Sequence, residues 1–318
     1  MKIVITGSIA YDYLMSFPGK FADMILADQL QNISLSFLVD SMQKQRGGVA
    51  PNIAYTMALL NGRSTIMATA GQDFTDYRNW LNGQGVDTSA IVEIEDDFCA
   101  SFFVNTDQDQ NQIASFYTGA MAHAGKLTFA EHAPDADLAI ISPNDPGAMR
   151  AYAAECKRLN IPYIYDSSQQ TIRLSGEELY AGLDGCYLLS VNDYEFNLIQ
   201  DRTGLNEDAI LQKVGGLLVT KGAEGSRLVM DGQEYRIPAV PPRKVVEPTG
   251  AGDAYRAGLM RGIQLGLPWE IAGRMGALAA TYVLEQMGTQ NHAYTAAEFV
   301  ARYRENFDDA GALDVLLA

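Results

Sequence analysis

The sequence predicts an α/β fold: a mostly parallel central sheet with helices on both faces, plus a small separate β-sheet lid. Three observations predict it. Short, nearly all-apolar runs recur along the chain, segments of helical character lie between several of them, and two stretches in the N-terminal third break the alternation. A strand covered by helices on both faces has no solvent side, so it reads as an unbroken apolar run rather than an alternating one.

The elements follow in order. Residues 2–7 (KIVITG) read as a buried strand ending in Gly7. Residues 49–61 read as a helix, with Gly47 and Gly48 just before it, and 64–70 as the next strand. Later apolar runs lie at 137–142, 162–165, 186–191 and 216–220, with helical segments such as 147–159 and 193–200 between them. From Gly250 to about residue 306 the chain is rich in Ala, Gly, Leu and Met and reads as three helices. The interruptions are 12–46, which lacks helical spacing, and 99–118, where apolar and aromatic strands flank the polar turn DQDQN. That second pattern is a hairpin. The two segments are expected to pair as a β-lid over the mouth of the main body. No Pro-, Gly- or Ser-rich linker and no repeat divides the chain, so residues 1–318 are read as a single domain whose lid is formed by about 12–46 and 99–118.

With 23 basic and 39 acidic residues the formal net charge is −16. Such a chain has no long-range attraction for nucleic acid or an anionic membrane, so neither is expected as a partner. Any phosphate it binds must be held by local N–H groups, a few basic residues and a metal ion. Cys99, Cys156 and Cys186 are scattered, without a CxxC pair, and suggest neither a zinc site nor a disulfide framework. The N-terminus MKIVITGSIAYD lacks the apolar stretch of a signal peptide, and no segment approaches the roughly 18 apolar residues of a membrane span. A cytoplasmic location is the expectation.

Three motifs carry chemistry. In Glu247-Pro-Thr-Gly-Ala-Gly-Asp253, the residues Gly250, Ala251 and Gly252 let the backbone turn tightly into a helix. N–H groups at a helix start then face an anion. Asp253 sits in that first turn, beside the place where a phosphate would rest, and Arg256 lies three residues on, able to pair with it. In Arg46-Gly47-Gly48-Val-Ala-Pro-Asn52, the glycines permit close approach of a ligand and the Asn52 amide is placed to grip a hydroxyl. In Asn192-Asp-Tyr-Glu195, the three-residue spacing sets Asn192 and Glu195 on one side of a helix start, facing phosphates or a hydrated Mg²⁺. A capping box has the same pattern.

In this order the motifs closely resemble those of the ribokinase-like, or PfkB, family of carbohydrate and nucleoside kinases. GGVAPN at 47–52, Asn192 to Glu195 and Thr-Gly-Ala-Gly-Asp at 249–253 carry the resemblance, and Thr220-Lys-Gly222-Ala-Glu-Gly225 extends it. It implies MgATP as phosphate donor, with Asp253 as catalytic base and Gly250, Ala251 and Gly252 as an anion hole. It implies that Asp12, Gly47, Gly48 and Asn52 bind the acceptor. It assigns Asn192, Thr220, Gly222, Gly225 and His292 to ATP and Glu195 to Mg²⁺ through water. It further implies a monovalent cation such as K⁺ in many members, and homodimers through the lid. Glu247 stands where many members have Asp, and Pro51 where a small residue is common.

Lid aromatics Phe17, Phe21, Phe37, Phe102, Phe103, Phe116 and Tyr117, able to stack on a purine, favour a nucleoside acceptor, adenosine first. The stretches SFLVD, GGVAPNIAYTMALL and ASFYTGAM are similar to those of bacterial adenosine-kinase-like members. A sugar kinase acting on ribose or a ketohexose is the alternative within the family. A non-catalytic nucleotide sensor is the alternative from another class, opposed by the intact Asp253 and Glu195. A dinucleotide-dependent oxidoreductase is weak, because Gly7-Ser-Ile-Ala-Tyr-Asp lacks GxGxxG.

Overall fold

The computed structural model describes residues 1–25 and 34–317. Part of the expected lid segment, 26–33, therefore lies outside the described residues. The strands are β1 Ile3–Thr6, β2 Ala10–Ser16, β3 Ser41–Gly47, β4 Ser64–Gly71, β5 Ile91–Ile94, β6 Ala100–Thr106, β7 Gln112–Tyr117, β8 Leu138–Ile141, β9 Tyr163–Tyr165, β10 Leu188–Asn192, β11 Gly216–Thr220, β12 Ser226–Met230 and β13 Gln233–Ile237. Helices of two turns or more are α1 Val49–Leu59, α2 Thr75–Gly83, α3 Pro146–Leu159, α4 Gly176–Leu183, α5 Asp193–Thr203, α6 Ala251–Gln264, α7 Trp269–Leu284 and α8 Ala296–Asn306.

Nine strands form the main sheet in the order β13-β12-β11-β10-β9-β8-β1-β4-β5. Every pairing from β11 to β5 is parallel, and β12 and β13 close one edge antiparallel. Successive side chains leave a strand on opposite faces, so the apolar runs feed two cores. Ile3 and Ile5 of β1, with Ile66 and Ala68 of β4, pack under α1 and α6. Val4 and Met67, the residues between them, join the opposite core with Met149 and Tyr152 of α3 and Leu179 of α4.

The edge hairpin was not anticipated from the sequence, and neither was β5. β12 and β13 meet at Asp231-Gly232, both at positive φ, which is the two-residue turn a tight hairpin requires. The three C-terminal helices are found as expected.

The second sheet has four strands in the order β3-β2-β6-β7. β2 pairs parallel with β6 and antiparallel with β3, while β6 and β7 form a hairpin around residues 107–111. The two interrupting segments thus do pair, as the sequence predicts. Asp107 organises that hairpin turn, accepting from the N–H groups of Phe21, Asp109 and Asn111 at 2.8–2.9 Å.

β1 is flanked by β8 on one side and β4 on the other, so the strand order reverses beside it. In a doubly wound sheet the crevice at such a switch point, beyond the carboxyl ends of the strands, is where ligands bind.

Candidate active site

A cavity of about 410 Å³ opens at that crevice, between the two sheets. Ser8 after β1, Pro143 after β8 and Gln169, Gln170 and Arg173 after β9 line its base. Asp12 of β2 and Phe102 and Phe116 of the β6–β7 hairpin line the opposite side. Gly48, Asn52, Thr249, Gly250 and Asp253 complete it. Acceptor-side residues expected from two remote motifs are therefore brought together.

Two glycines make this possible. Gly48 has φ +93°, and a Cβ there would lie 2.5 Å from the Ser8 carbonyl and 2.6 Å from the Ala10 nitrogen. Gly250 has φ +83° and caps α6, with Thr289 pressed where its side chain would be. Both conformations are open to glycine at little cost. At Gly47 a Cβ would meet the Asp12 carboxylate at 2.7 Å, so that side chain would have to shift.

Asp253 is buried in the first turn of α6. Asn52 Nδ2 donates to its Oδ2 at 2.8 Å and Arg256 donates to its Oδ1 at 2.6 Å. Burial raises the carboxyl's pKa, opposed by Arg256 and by the Asn52 hydrogen bond. The network continues on both sides. Gln290 Nε2 donates to Asn52 Oδ1 at 2.7 Å and to the Tyr77 hydroxyl at 2.5 Å, and that hydroxyl donates to the Gly47 carbonyl at 3.0 Å. On the far side, Arg256 Nε lies 3.1 Å from Asp166 Oδ2. The pair is within ion-pair distance, but no aligned hydrogen bond links it, since both atoms count among those without a hydrogen-bond partner. Asp166 is wholly buried just after β9, and burial pushes its carboxyl up to about 7 against the pull of Arg256. Asp12 is pushed up to about 6, first by burial and then by Glu247.

The Asn52 amide thus already donates to Asp253 and accepts from Gln290, which leaves one Nδ2 hydrogen and one Oδ1 lone pair for a hydroxyl. It is 5% exposed and still faces the cavity.

The other motifs assemble further along the sheet. Asn192 at the end of β10 is in register with Thr220 at the end of β11. Asn192 Oδ1 accepts from Glu195 N at 2.8 Å and Glu195 Oε2 accepts from Asn192 N at 2.9 Å. The capping box is real. Only Oε2 of Glu195 has a protein partner among the described residues, and its charge acts on both Arg256 and Asp166. Gly222 and Gly225 bound the short turn after β11, where Lys221, Glu224 and Arg227 line a further cavity of about 430 Å³.

His292 requires a correction. Its side chain is wholly buried, with Nε2 3.0 Å from Thr56 Oγ1 and its ring edge-on to Tyr55. Burial lowers its pKa to about 4, so it is a neutral core group and presents no side chain to a nucleotide. Two residues earlier in the same segment, Gln290 is the one that joins the site. Sequence reasoning also missed Asp166, Tyr77 and the Gln169–Arg173 segment. Asp166 had one signal, an acid at the end of the buried strand PYIYD.

The fold, the glycine turns and the buried Asp253 define a phosphotransferase, and comparison with known proteins agrees. The profile of the pfkB family carbohydrate kinases matches residues 17–296, and the chain belongs to that family. It is an ATP-dependent kinase with a hydroxyl acceptor. The structure of Burkholderia thailandensis nucleoside kinase in complex with inosine superposes with a TM-score of 0.86 at 35% identity, over 96% of this chain and 97% of that one. Methanocaldococcus jannaschii nucleoside kinase superposes with a TM-score of 0.85 at 28% identity, over 96% and 98%. The nucleoside kinase of Methanothermobacter thermautotrophicus is 28% identical over 305 residues, 95% of each chain. Among the described residues no helix is long and apolar enough to cross a membrane.

Proposed function

We propose that this kinase transfers the γ-phosphate of MgATP to the primary hydroxyl of a nucleoside. One observation carries the reading: a single cavity is lined both by the polar Asp12, Asn52 and Asp253 and by the apolar Phe102, Phe116 and Met121. The polar groups suit a ribose and the apolar ones suit a base. Its volume falls in the about 300–1,000 Å³ range of small-molecule sites. The printed names of the similar Burkholderia and archaeal enzymes support the same class. Adenosine is the first acceptor we assign, because the aromatic Phe102 and Phe116 that line the cavity are able to stack on a purine. Inosine, bound by the Burkholderia enzyme, is the second.

In the reaction Asp12 accepts hydrogen bonds from two adjacent ribose hydroxyls and the primary hydroxyl points at Asp253. The bond from that oxygen to the γ-phosphorus forms as the bond to the ADP oxygen breaks. The hydroxyl proton passes to Asp253, late, when the attacking oxygen has become acidic. The N–H groups at the start of α6, which have no intrahelical acceptor, hold the charge of the transferring group. Thr220, Gly222 and Gly225 take the nucleotide side.

Mg²⁺ supplies charge neutralisation on the phosphates. Among the described residues no group of three or more His, Cys, Asp or Glu could hold an ion. This suits a metal that arrives on phosphate oxygens and keeps its waters. Glu195 Oε1 is available to those waters. A monovalent cation such as K⁺ beside the Gly250 turn is part of the same proposal, read from activity in KCl against NaCl. The four-stranded sheet acts as a lid that closes before transfer and excludes water. Its exposed Phe103 and Tyr117 support a homodimer through this sheet, checked by solution mass.

The test is an ADP-release assay over nucleosides and sugars. Adenosine turns over faster than ribose at equal concentration, and 2′,3′-dideoxyadenosine, which keeps the base and the primary hydroxyl, is a poor substrate. Fast turnover of ribose or fructose with none of adenosine replaces this reading by the sugar-kinase one.

A further inference from the structure

We propose that Asp166 is a positioning residue for the reaction, drawing part of the Arg256 charge away from Asp253 so that Asp253 stays oriented yet remains basic enough to take the proton. The inference rests on the reading of Asp253 as the base.

Asp253 has a difficulty that its partners create. Both its oxygens already accept hydrogen bonds, from Asn52 at 2.8 Å and from Arg256 at 2.6 Å. Each carboxylate oxygen has a second lone pair, so a hydroxyl still finds an acceptor. A guanidinium bound to one carboxylate alone would, however, hold its negative charge firmly and weaken it as a base. Arg256 is not bound to one alone. Its fork spans two acids, with Nη2 toward Asp253 on its own helix and Nε toward Asp166 at the end of β9. Asp166 is 0% exposed and Arg256 9% exposed, so the surrounding water cannot screen this sharing. The other charged group acting on both Arg256 and Asp166 is Glu195 at the start of α5.

Asp166 is able to change its charge near neutral pH. Burial puts its titration near pH 7, with Glu195 and Asp253 adding to the rise. The sign follows. Below that pH Asp166 is protonated, Arg256 falls wholly to Asp253, and the base is weaker. Above it Asp166 is ionised, Arg256 is shared, and the base is stronger.

The experiment is the kcat–pH profile of the full chain and of Asp166→Asn, Arg256→Lys and Asp253→Asn with a saturating acceptor and MgATP. Asp166→Asn is expected to lower kcat about three- to ten-fold, the effect of up to one unit of base strength. KM for both substrates stays within two-fold, and the rise through neutral pH disappears. Arg256→Lys keeps a charge but cannot span two carboxylates, so its profile also shifts and adding Asp166→Asn costs little more. A wild-type profile in Asp166→Asn, or a loss of kcat that merely tracks thermal stability, overturns the proposal. If Asp166→Asn does not fold, Arg256→Lys decides: a wild-type profile contradicts and a displaced one supports. An inactive Asp253→Asn with unaltered Asp166→Asn sinks this inference alone. An active Asp253→Asn sinks the base assignment beneath it.

Discussion

Asp253 and Asp12 line the same cavity and are held by opposite means. Asp253 stands at the start of a helix packed into the main body, gripped by Asn52 and Arg256 in a chain of buried polar groups that runs from Tyr77 to Asp166. Asp12 stands on a strand of the smaller sheet, and its carboxylate accepts no hydrogen bond among the described residues. Its row on that sheet continues through Phe102 to Phe116, which is 44% exposed. The difference fits the two tasks proposed for these acids. A group that handles a proton needs a fixed direction and a controlled charge, which burial and hydrogen bonds supply. A group that meets an arriving substrate needs free lone pairs and a support that moves.

Substitutions on each side sharpen the contrast. The largest effect is at Asp253→Asn, which keeps shape and removes the proton acceptor. We expect kcat to fall by about 10²–10⁴ with ATP affinity little changed. Steady-state kinetics with nucleotide titration reads both, and near-normal turnover would count against the base assignment. Gly48→Ala should come next, because its backbone conformation alone costs about 1–3 kcal/mol and the added Cβ strikes main chain. A thermal melt checks it, and an unchanged Tm would show that the turn relaxes.

Asp12→Ala should raise the acceptor KM about 10- to 100-fold, the loss of hydrogen bonds to a charged group, with the ATP KM nearly constant. The pH dependence has a defined sign. Since the Asp12 carboxyl is held up to about 6, it is protonated below that pH, and the acceptor KM should climb as pH falls through 6. The same shift means that the folded state binds the proton more tightly than the unfolded one. Its stability contribution therefore falls as pH rises from the ordinary Asp range through 6. Equal rises in both KM values would deny Asp12 its acceptor role. The smallest effect is at Glu195→Gln, where the Mg²⁺ concentration for half-maximal rate should rise a few-fold. An unchanged Mg²⁺ dependence with a lowered Tm would leave Glu195 only its capping role.

Much of this architecture is legible in the chain because its parts are local. The strands of the parallel sheet announce themselves as apolar runs, and Gly48 and Gly250 mark turns that other residues resist. The hairpin at 107–111 shows as a polar turn between apolar strands. The edge pair β12–β13 carried a signal too, Asp231-Gly232, but its strands alternate with charge and lack the unbroken run of a central strand. Nothing local marks Gln290 or Tyr77, and Asp166 shows only as an acid at the end of the buried strand PYIYD. They belong to the site only because β9, the segment after α7 and α2 converge there, and a convergence of distant segments has no spacing to read. His292 shows the opposite error: a loop histidine reads as a nucleotide contact, but packing against Tyr55 and Thr56 turns the ring into the core.

The central claim is that the acceptor is a nucleoside whose primary hydroxyl faces Asp253. It is tested most directly by ³¹P NMR of the products formed from MgATP with adenosine, inosine and ribose present together at equal concentration. The account predicts nucleoside 5′-monophosphate as the accumulating phosphomonoester, adenosine's first, with ribose left unphosphorylated. Ribose phosphate forming while both nucleosides remain intact would contradict it.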